Sequence, residues 1–315
     1  VTLAKLPHPI AIGGPTGSGK SSCAIELARH FRREGIETEI IAADSITHYR
    51  RFDIGSAKPT AEERAEFPHH LLDILNPEES FTAGDFVRLA LPILDQIDSR
   101  GNLALIVGGS GFYLKALLRG MASEEDPEKK AEARKQLNER LVQEGAPQLY
   151  REMIERDPAL ASRIHLHDEY RIVRALEAMQ LSGKSWSEAN AEAEARPFRF
   201  PKAKLYCLDI NRARLKERIS SRAETMLAQG LVAEVEGLLA AGVSPDSKAF
   251  ESVGYRQVVE AGAKPDPLAL REAITNATMK LAKSQGTWFR GQFAEAEWVE
   301  AEPNPALEIL ARLKA

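Results

Sequence analysis

A chain of 315 residues, 43% hydrophobic and 28% charged, is long enough to bury one large core or two modest ones, and it is neither disordered nor fibrous. Its net charge of −4, from 42 basic and 46 acidic residues, excludes a generally basic nucleic-acid coat, so RNA binding would have to rest on local basic patches. The two cysteines, Cys23 and Cys207, stand far apart in no ligand-like spacing, which supports neither a disulfide framework nor a structural zinc site and favours a reducing compartment.

In chain order, Val1 to Pro9 lacks a basic, apolar, small-residue export pattern. Pro9 to Gly13 is a short apolar run entering a Gly-rich turn. Lys20 to Arg33 then carries Ala24, Leu27, Ala28 and Phe31 at helical spacing, giving strand, loop and helix. Glu39 to Ala43 predicts a second strand ending at Asp44-Ser45. Leu103 to Val107 predicts a third, ending at Gly108-Gly109-Ser110-Gly111 before a helix through Leu118. Such runs are too short to cross a bilayer, so the chain is expected to be cytoplasmic with no membrane partner. From Ala122 to Ala195 the sequence is rich in Ala, Leu, Glu and Arg and offers no strand, which predicts an all-helical insertion. Lys204 to Asp209 predicts a fourth strand, and Arg212 to Gln229, Leu231 to Ala241 and Leu268 to Arg290 predict long helices. Strands alternating with helices imply a P-loop NTPase-like α/β fold. Its parallel sheet would be flanked by helices, its ligands would lie at the strands' carboxyl ends, and its core would comprise 1–121 and 196–315. No dimer seam is legible, and the chain is expected to be a monomer.

Gly14-Pro15-Thr16-Gly17-Ser18-Gly19-Lys20-Ser21 fits the phosphate-binding loop pattern in its required place, after a strand and opening a helix. Its backbone N–H groups can curl round phosphate oxygens, Lys20 adds positive charge, and the Ser21 hydroxyl can ligate Mg²⁺. The pattern specifies a phosphate ligand and leaves the reaction open. Asp44 can bind Mg²⁺ through water, act as a base, or cap the next helix. The Gly108 to Gly111 turn is either a helix start or a second set of donors at the same sheet edge. Between Arg196 and Arg222 nine Lys/Arg stand against two acids, and Arg218 and Arg222 lie one helical turn apart, able to address one anion. His69 and His70 are expected to settle a turn or a core contact and not a metal, since no third ligand is spaced to join them.

Several stretches together resemble one family, the tRNA dimethylallyltransferases or tRNA isopentenyltransferases. They are GPTGSGKS at Gly14 to Ser21, ADSITHYRRFDIGSAKPT at Ala43 to Thr60, PHHLLDI at Pro68 to Ile74 and VGGSGFYLKALL at Val107 to Leu118. Further on come RIVRALEAMQLSGKS at Arg171 to Ser185, VGYRQ at Val253 to Gln257 and LAKSQGTWFR at Leu281 to Arg290. The resemblance implies that the P-loop holds dimethylallyl diphosphate instead of ATP, with Lys20, Arg222 and Mg²⁺ on Ser21 neutralising the departing diphosphate. It also implies that an adenosine just 3′ of the anticodon turns into a channel. There Asp44 takes the N6 proton and Ser110, where the family usually has threonine, bridges diphosphate and RNA. By the same resemblance Asp44, Ser45, Ile46, Thr47, Ser110, Arg171, Arg174, Gly254, Tyr255, Arg256 and Gln257 are expected to meet tRNA, and the insertion the anticodon stem. The chain departs from the family pattern at Thr47, Arg51, Glu251, Met279 and Ser284. Three readings compete with this one: a small-molecule kinase on the same P-loop, a tRNA-binding relative without catalysis, and a prenyltransferase acting on free adenine nucleotides.

Overall fold

The computed structural model describes residues 8–120 and 127–314; the expected start of the insertion at 122 and positions 1–7 of the N-terminal stretch lie outside them. The chain divides into two compact units, one made of Val1–Leu118 and Phe200–Ala315, the other of Arg119–Arg199.

The first unit is built on six parallel strands in the order β3-β2-β4-β1-β5-β6. They are β1 (Ile10–Gly13), β2 (Thr38–Ala42), β3 (His69–His70), β4 (Leu103–Val107), β5 (Lys204–Asp209) and β6 (Glu297–Glu300). Every residue of β1, β2 and β4 is buried, as expected of strands covered on both faces; β1 and β4 read as unbroken apolar runs, whereas β2 opens with buried Thr38 and Glu39. Register places Ile12 beside Val107 on one side and Tyr206 on the other, so the turns that follow β1, β4 and β5 emerge along one edge.

The helices of the first half are α1 (Lys20–Arg33), α2 (Ala61–Glu66), α3 (Ala83–Ser99) and α4 (Gly111–Arg119). Capping boxes start α2 at Thr60 and α3 at Thr82, each satisfying backbone donors that the first turn leaves open. The second unit holds α5 (Pro127–Glu144), α6 (Ala146–Arg156), α7 (Glu169–Ser182) and α8 (Trp186–Ala195), with no strand among its described residues. Its core gathers Leu137, Leu149, Met153, Leu160, Ile172 and Leu176. Buried Glu177 sits beside that core and accepts from Arg134 at 2.9 Å and Arg174 at 2.5 Å. The chain then returns to the first unit for α9 (Arg212–Ala228), α10 (Leu231–Ala240), α11 (Tyr255–Ala261), α12 (Pro267–Gln292) and α13 (Pro305–Lys314).

Six strands stand where four were expected. β3 is two residues long, and β6, an edge strand reading Glu-Trp-Val-Glu, has only Val299 buried, so neither carries the apolar run that marks a central strand. The histidine pair forms β3: His69 Nδ1 lies 2.8 Å from Phe67 O, and His70 Nε2 lies 2.7 Å from Glu39 Oε2. No helix is long and apolar enough to cross a membrane among the described residues.

Candidate active site

The P-loop joins β1 to α1 and turns through the left-handed conformations of Gly17 and Gly19, at φ 81° and 94°. Lys20, the first residue of α1, donates to the Pro15 carbonyl at 2.8 Å. Burial lowers its pKa to about 8, against the pull of Asp44 and with the push of Arg222. A half-buried ammonium with one carbonyl partner would be stabilised by an anion beside it. Gly19, Lys20, Ser21, Arg218 and Arg222 border a polar cavity of about 720 Å³, which also receives Asp44 and Thr47.

A second cavity of about 560 Å³ is walled largely by apolar side chains, among them Ile46, Tyr113, Ile219, Met226, Ile274 and Phe289. The two cavities share Thr16, Gly17, Asp44, Ser56, Arg222 and Met226. A carboxylate and a guanidinium therefore stand where a polar chamber meets an apolar one. Arg222 is enclosed by protein, which lowers its pKa while Asp44 raises it. No hydrogen bond or ion pair engages it among the described residues, a costly state for an enclosed charge that an anionic ligand would relieve.

Asp44 leaves the end of β2 and its Oδ1 accepts the Ile46 N–H at 3.1 Å. The residues after it form a turn and not a helix, so its capping work is done on a turn. The second carboxylate oxygen has no hydrogen-bond partner among the described residues, and Asp44 lines both cavities. Thr47 is buried, and its hydroxyl donates to the Asp44 carbonyl at 3.3 Å. Ser45 is exposed and lines the apolar cavity with Ile46 and Ser110. The turn after β4 presses against this loop: Ser110 N–H donates to Ala43 O at 3.2 Å. A Cβ on Gly108 would lie 1.8 Å from that same carbonyl, so only glycine fits.

The VGYRQ stretch requires a correction. Tyr255 is fully buried and cannot touch tRNA: its hydroxyl donates to Glu234 at 2.5 Å and accepts the Gly55 N–H at 3.1 Å. Glu234 also receives the N–H groups of Asp53 and Ile54, at 3.1 and 2.9 Å. Tyr255 and Glu234 thus hold the loop that carries Gly55 and Ser56 to the cavities. Gly254 lines the apolar cavity, Gln257 Oε1 accepts the Gly254 N–H at 2.8 Å, and exposed Arg256 pairs with Glu260 at 2.8 Å. In the helical unit Arg171 is exposed and pairs with Asp168 at 3.2 Å, whereas Arg174 is turned onto buried Glu177, an internal partner.

Sequence reasoning gave no role to Gln285 of α12, which accepts from Thr16 N and donates to Gly109 O, nor to Glu234. Of the departures, Arg51 adopts φ 68°, which explains why glycine suits that position, and Met279 packs against the cluster of Leu215, Ile219 and Ala282. Glu251, paired with Lys248 at 2.8 Å, and Ser284 both line the apolar cavity. Within the basic run, Lys204 pairs with Glu297 at 2.6 Å and Arg214 with Glu217 at 2.5 Å, leaving Arg218 and Arg222 on the polar cavity.

Residues 47–292 match the sequence profile of a family described as IPP transferase. The chain belongs to the IPP transferase family. Among its relatives in that family, a tRNA dimethylallyltransferase 1 of Trichlorobacter lovleyi is 43% identical over 303 residues, covering 95% of this chain and 96% of that protein. A tRNA isopentenylpyrophosphate transferase of Staphylococcus epidermidis, solved by crystallography, is 30% identical with a TM-score of 0.68, covering 98% of this chain and 99% of that one. A eukaryotic dimethylallyltransferase acting on tRNA shares the fold at 22% identity, with a TM-score of 0.77 over 96% of this chain and 78% of that one.

Proposed function

We propose that this IPP transferase is a tRNA dimethylallyltransferase, which moves a dimethylallyl group from dimethylallyl diphosphate to N6 of the adenosine just 3′ of the tRNA anticodon and so forms N6-isopentenyladenosine. The observation that carries the reading is the meeting of a polar and an apolar cavity at Asp44 and Arg222. In the chemistry we assign to them, the diphosphate lies against the P-loop amides, Lys20 and Arg222, and the adenine enters the apolar chamber. The N6 lone pair attacks the allylic carbon, the carbon–oxygen bond breaks toward diphosphate, and the N6 proton passes to Asp44. An exocyclic amine is a poor nucleophile, so catalysis depends on positioning, a proton acceptor and charge placed where the leaving group forms.

Mg²⁺ suits this donor set. No group of three or more His, Cys, Asp or Glu could hold a metal among the described residues, and Mg²⁺ commonly takes one or two protein oxygens and completes its shell with phosphate and water. The Ser21 hydroxyl on the polar cavity would hold it, and when bound it supplies further positive charge to the departing diphosphate. Ser110, Ser45 and Ile46 line the acceptor's chamber in this reading, Thr47 lies on the polar side of Asp44, and the helical unit, through Arg171, adds contacts to the anticodon stem.

The decisive experiment is mass analysis of unmodified tRNA after incubation with the protein, Mg²⁺ and dimethylallyl diphosphate. One dimethylallyl unit gained on an anticodon-loop adenosine is the expected result. Unmodified tRNA, or consumption of ATP in place of the prenyl donor, would return the chain to the kinase or tRNA-binding readings.

A further inference from the structure

Phe112, in the first turn of α4 directly after Ser110 and Gly111, keeps 68% of its surface exposed. Its ring centroid lies 5.0 Å from that of Trp288, at 49° between planes. Leu281 is 38% exposed, and all three line the apolar cavity. Trp288 is firmly seated. Its ring packs edge-on against Phe289 at 5.6 Å and Phe293 at 5.9 Å, and it lies so close to α4 that a Cβ on Gly111 would meet it at 2.0 Å. The result is an aromatic pair with a rigid inner member and an outer member facing solvent at the edge of a cavity. Single exposed apolar side chains are ordinary on protein surfaces, but an aromatic pair continuous with a ligand cavity is a contact surface.

We propose that Phe112, backed by Trp288, forms a stacking shelf for the unpaired nucleobase next to the acceptor adenosine. The inference rests on the reading of the chain as a tRNA prenyltransferase. Continuity with the cavity selects the occupant: an RNA strand whose adenine enters the apolar chamber carries its neighbouring bases past the edge of that chamber. Turning the adenine out removes stacking from those neighbours, and an aromatic plane at the edge replaces part of what they lose. Such stacking tolerates any base, because every base has a π-face, and it acts on RNA affinity and not on the leaving group.

The test uses an anticodon stem-loop with dimethylallyl diphosphate. Phe112→Ala should raise KM for the stem-loop about tenfold, the usual scale for one lost base–aromatic stack, with kcat and the KM for dimethylallyl diphosphate unchanged. Phe112→Tyr keeps a plane and should behave as wild type, whereas Phe112→Leu keeps apolar surface without a plane and should lose most of the affinity. Stem-loops made abasic at the nucleotide before or after the acceptor identify the occupant. One of them should raise KM about tenfold with wild type and cause no further rise with Phe112→Ala. An unchanged KM in Phe112→Ala, or a full abasic penalty persisting in that variant, overturns the shelf and leaves the prenyltransferase reading standing. An intact stem-loop that wild type fails to prenylate overturns both.

Discussion

Gln285 accepts the backbone N–H of Thr16 at 2.7 Å across 269 positions of sequence. Its Nε2 donates to the Gly109 carbonyl at 3.0 Å, so one amide side chain ties the P-loop to the turn that carries Ser110. Gln285→Leu removes both bonds. Small misplacements of reacting groups are expensive, and single-turnover prenylation should fall about 10–100-fold. Gln285→Glu still accepts from Thr16 but cannot donate to Gly109 and should fall between the two. A Leu variant reacting at the wild-type rate would show that packing alone holds the loops together.

Lys20→Ala should nearly abolish turnover. It deletes a half-buried charge from the polar cavity, where in the proposed reaction negative charge grows on the leaving group. Rate measurements at saturating dimethylallyl diphosphate separate this from a simple loss of donor affinity. A normal kcat there would remove Lys20 from the chemistry.

Asp44→Asn separates the base from the turn cap. Asparagine keeps an oxygen able to accept the Ile46 N–H, which Asp44 now accepts at 3.1 Å, so the fold should be retained. It cannot take a proton, and turnover should drop by roughly 10²-fold or more. Affinity for tRNA, governed by phosphate contacts, should change little. Prenylation and tRNA binding measured on one preparation give the answer, and near-normal prenylation would rule out Asp44 as the base.

The helical unit should be acid-sensitive through Glu177. Burial alone would raise its pKa, but hydrogen bonds from Arg134 and Arg174 outweigh that and hold it below the usual carboxylate value. A folded pKa below the unfolded one means that the carboxylate's contribution is complete above the unfolded value of about 4.3 and is lost as pH falls through the folded value. Glu177→Gln leaves the two arginines without their buried anion and should cost about 1–3 kcal/mol at pH 7. Urea melts followed by circular dichroism should show the gap between variant and wild type closing as pH drops below about 4. A gap constant with pH would mean that shape and not charge holds Glu177 in place.

What the sequence makes legible is local. The P-loop declares itself because eight consecutive residues carry both the turn and the charge, and β1 and β4 because strands covered on both faces are apolar runs; β2 shows only the apolar stretch Ile40 to Ala42 after Thr38 and Glu39. β3 and β6 escape notice because edge strands need no such run. Tyr255 misleads for a related reason. A polar hydroxyl in a distinctive motif looks like a ligand contact, yet its partner Gly55 lies 200 positions away and the bond between them is internal. Gln285 is invisible on the same ground, its glutamine chemistry being ordinary until the fold brings Thr16 and Gly109 to either end of it. Phe112 reads as one more apolar helix residue until its exposure is known.

Because the polar and apolar cavities share six residues, they adjoin at Asp44 and Arg222, and the reaction we propose would bring donor and acceptor to that junction from different chambers. Traffic through two adjoining chambers would differ from traffic through one pocket. In that reaction modified RNA would withdraw through the apolar chamber and diphosphate through the polar one, so neither product would block the exit of the other. The same arrangement leaves a weak point at the junction. With only the donor in place, water would have access to the allylic carbon from the apolar side, and in the proposed reaction the seated adenine would close that route. Loyalty of the prenyl group to its intended acceptor is then a matter of which visitor fills the far chamber first.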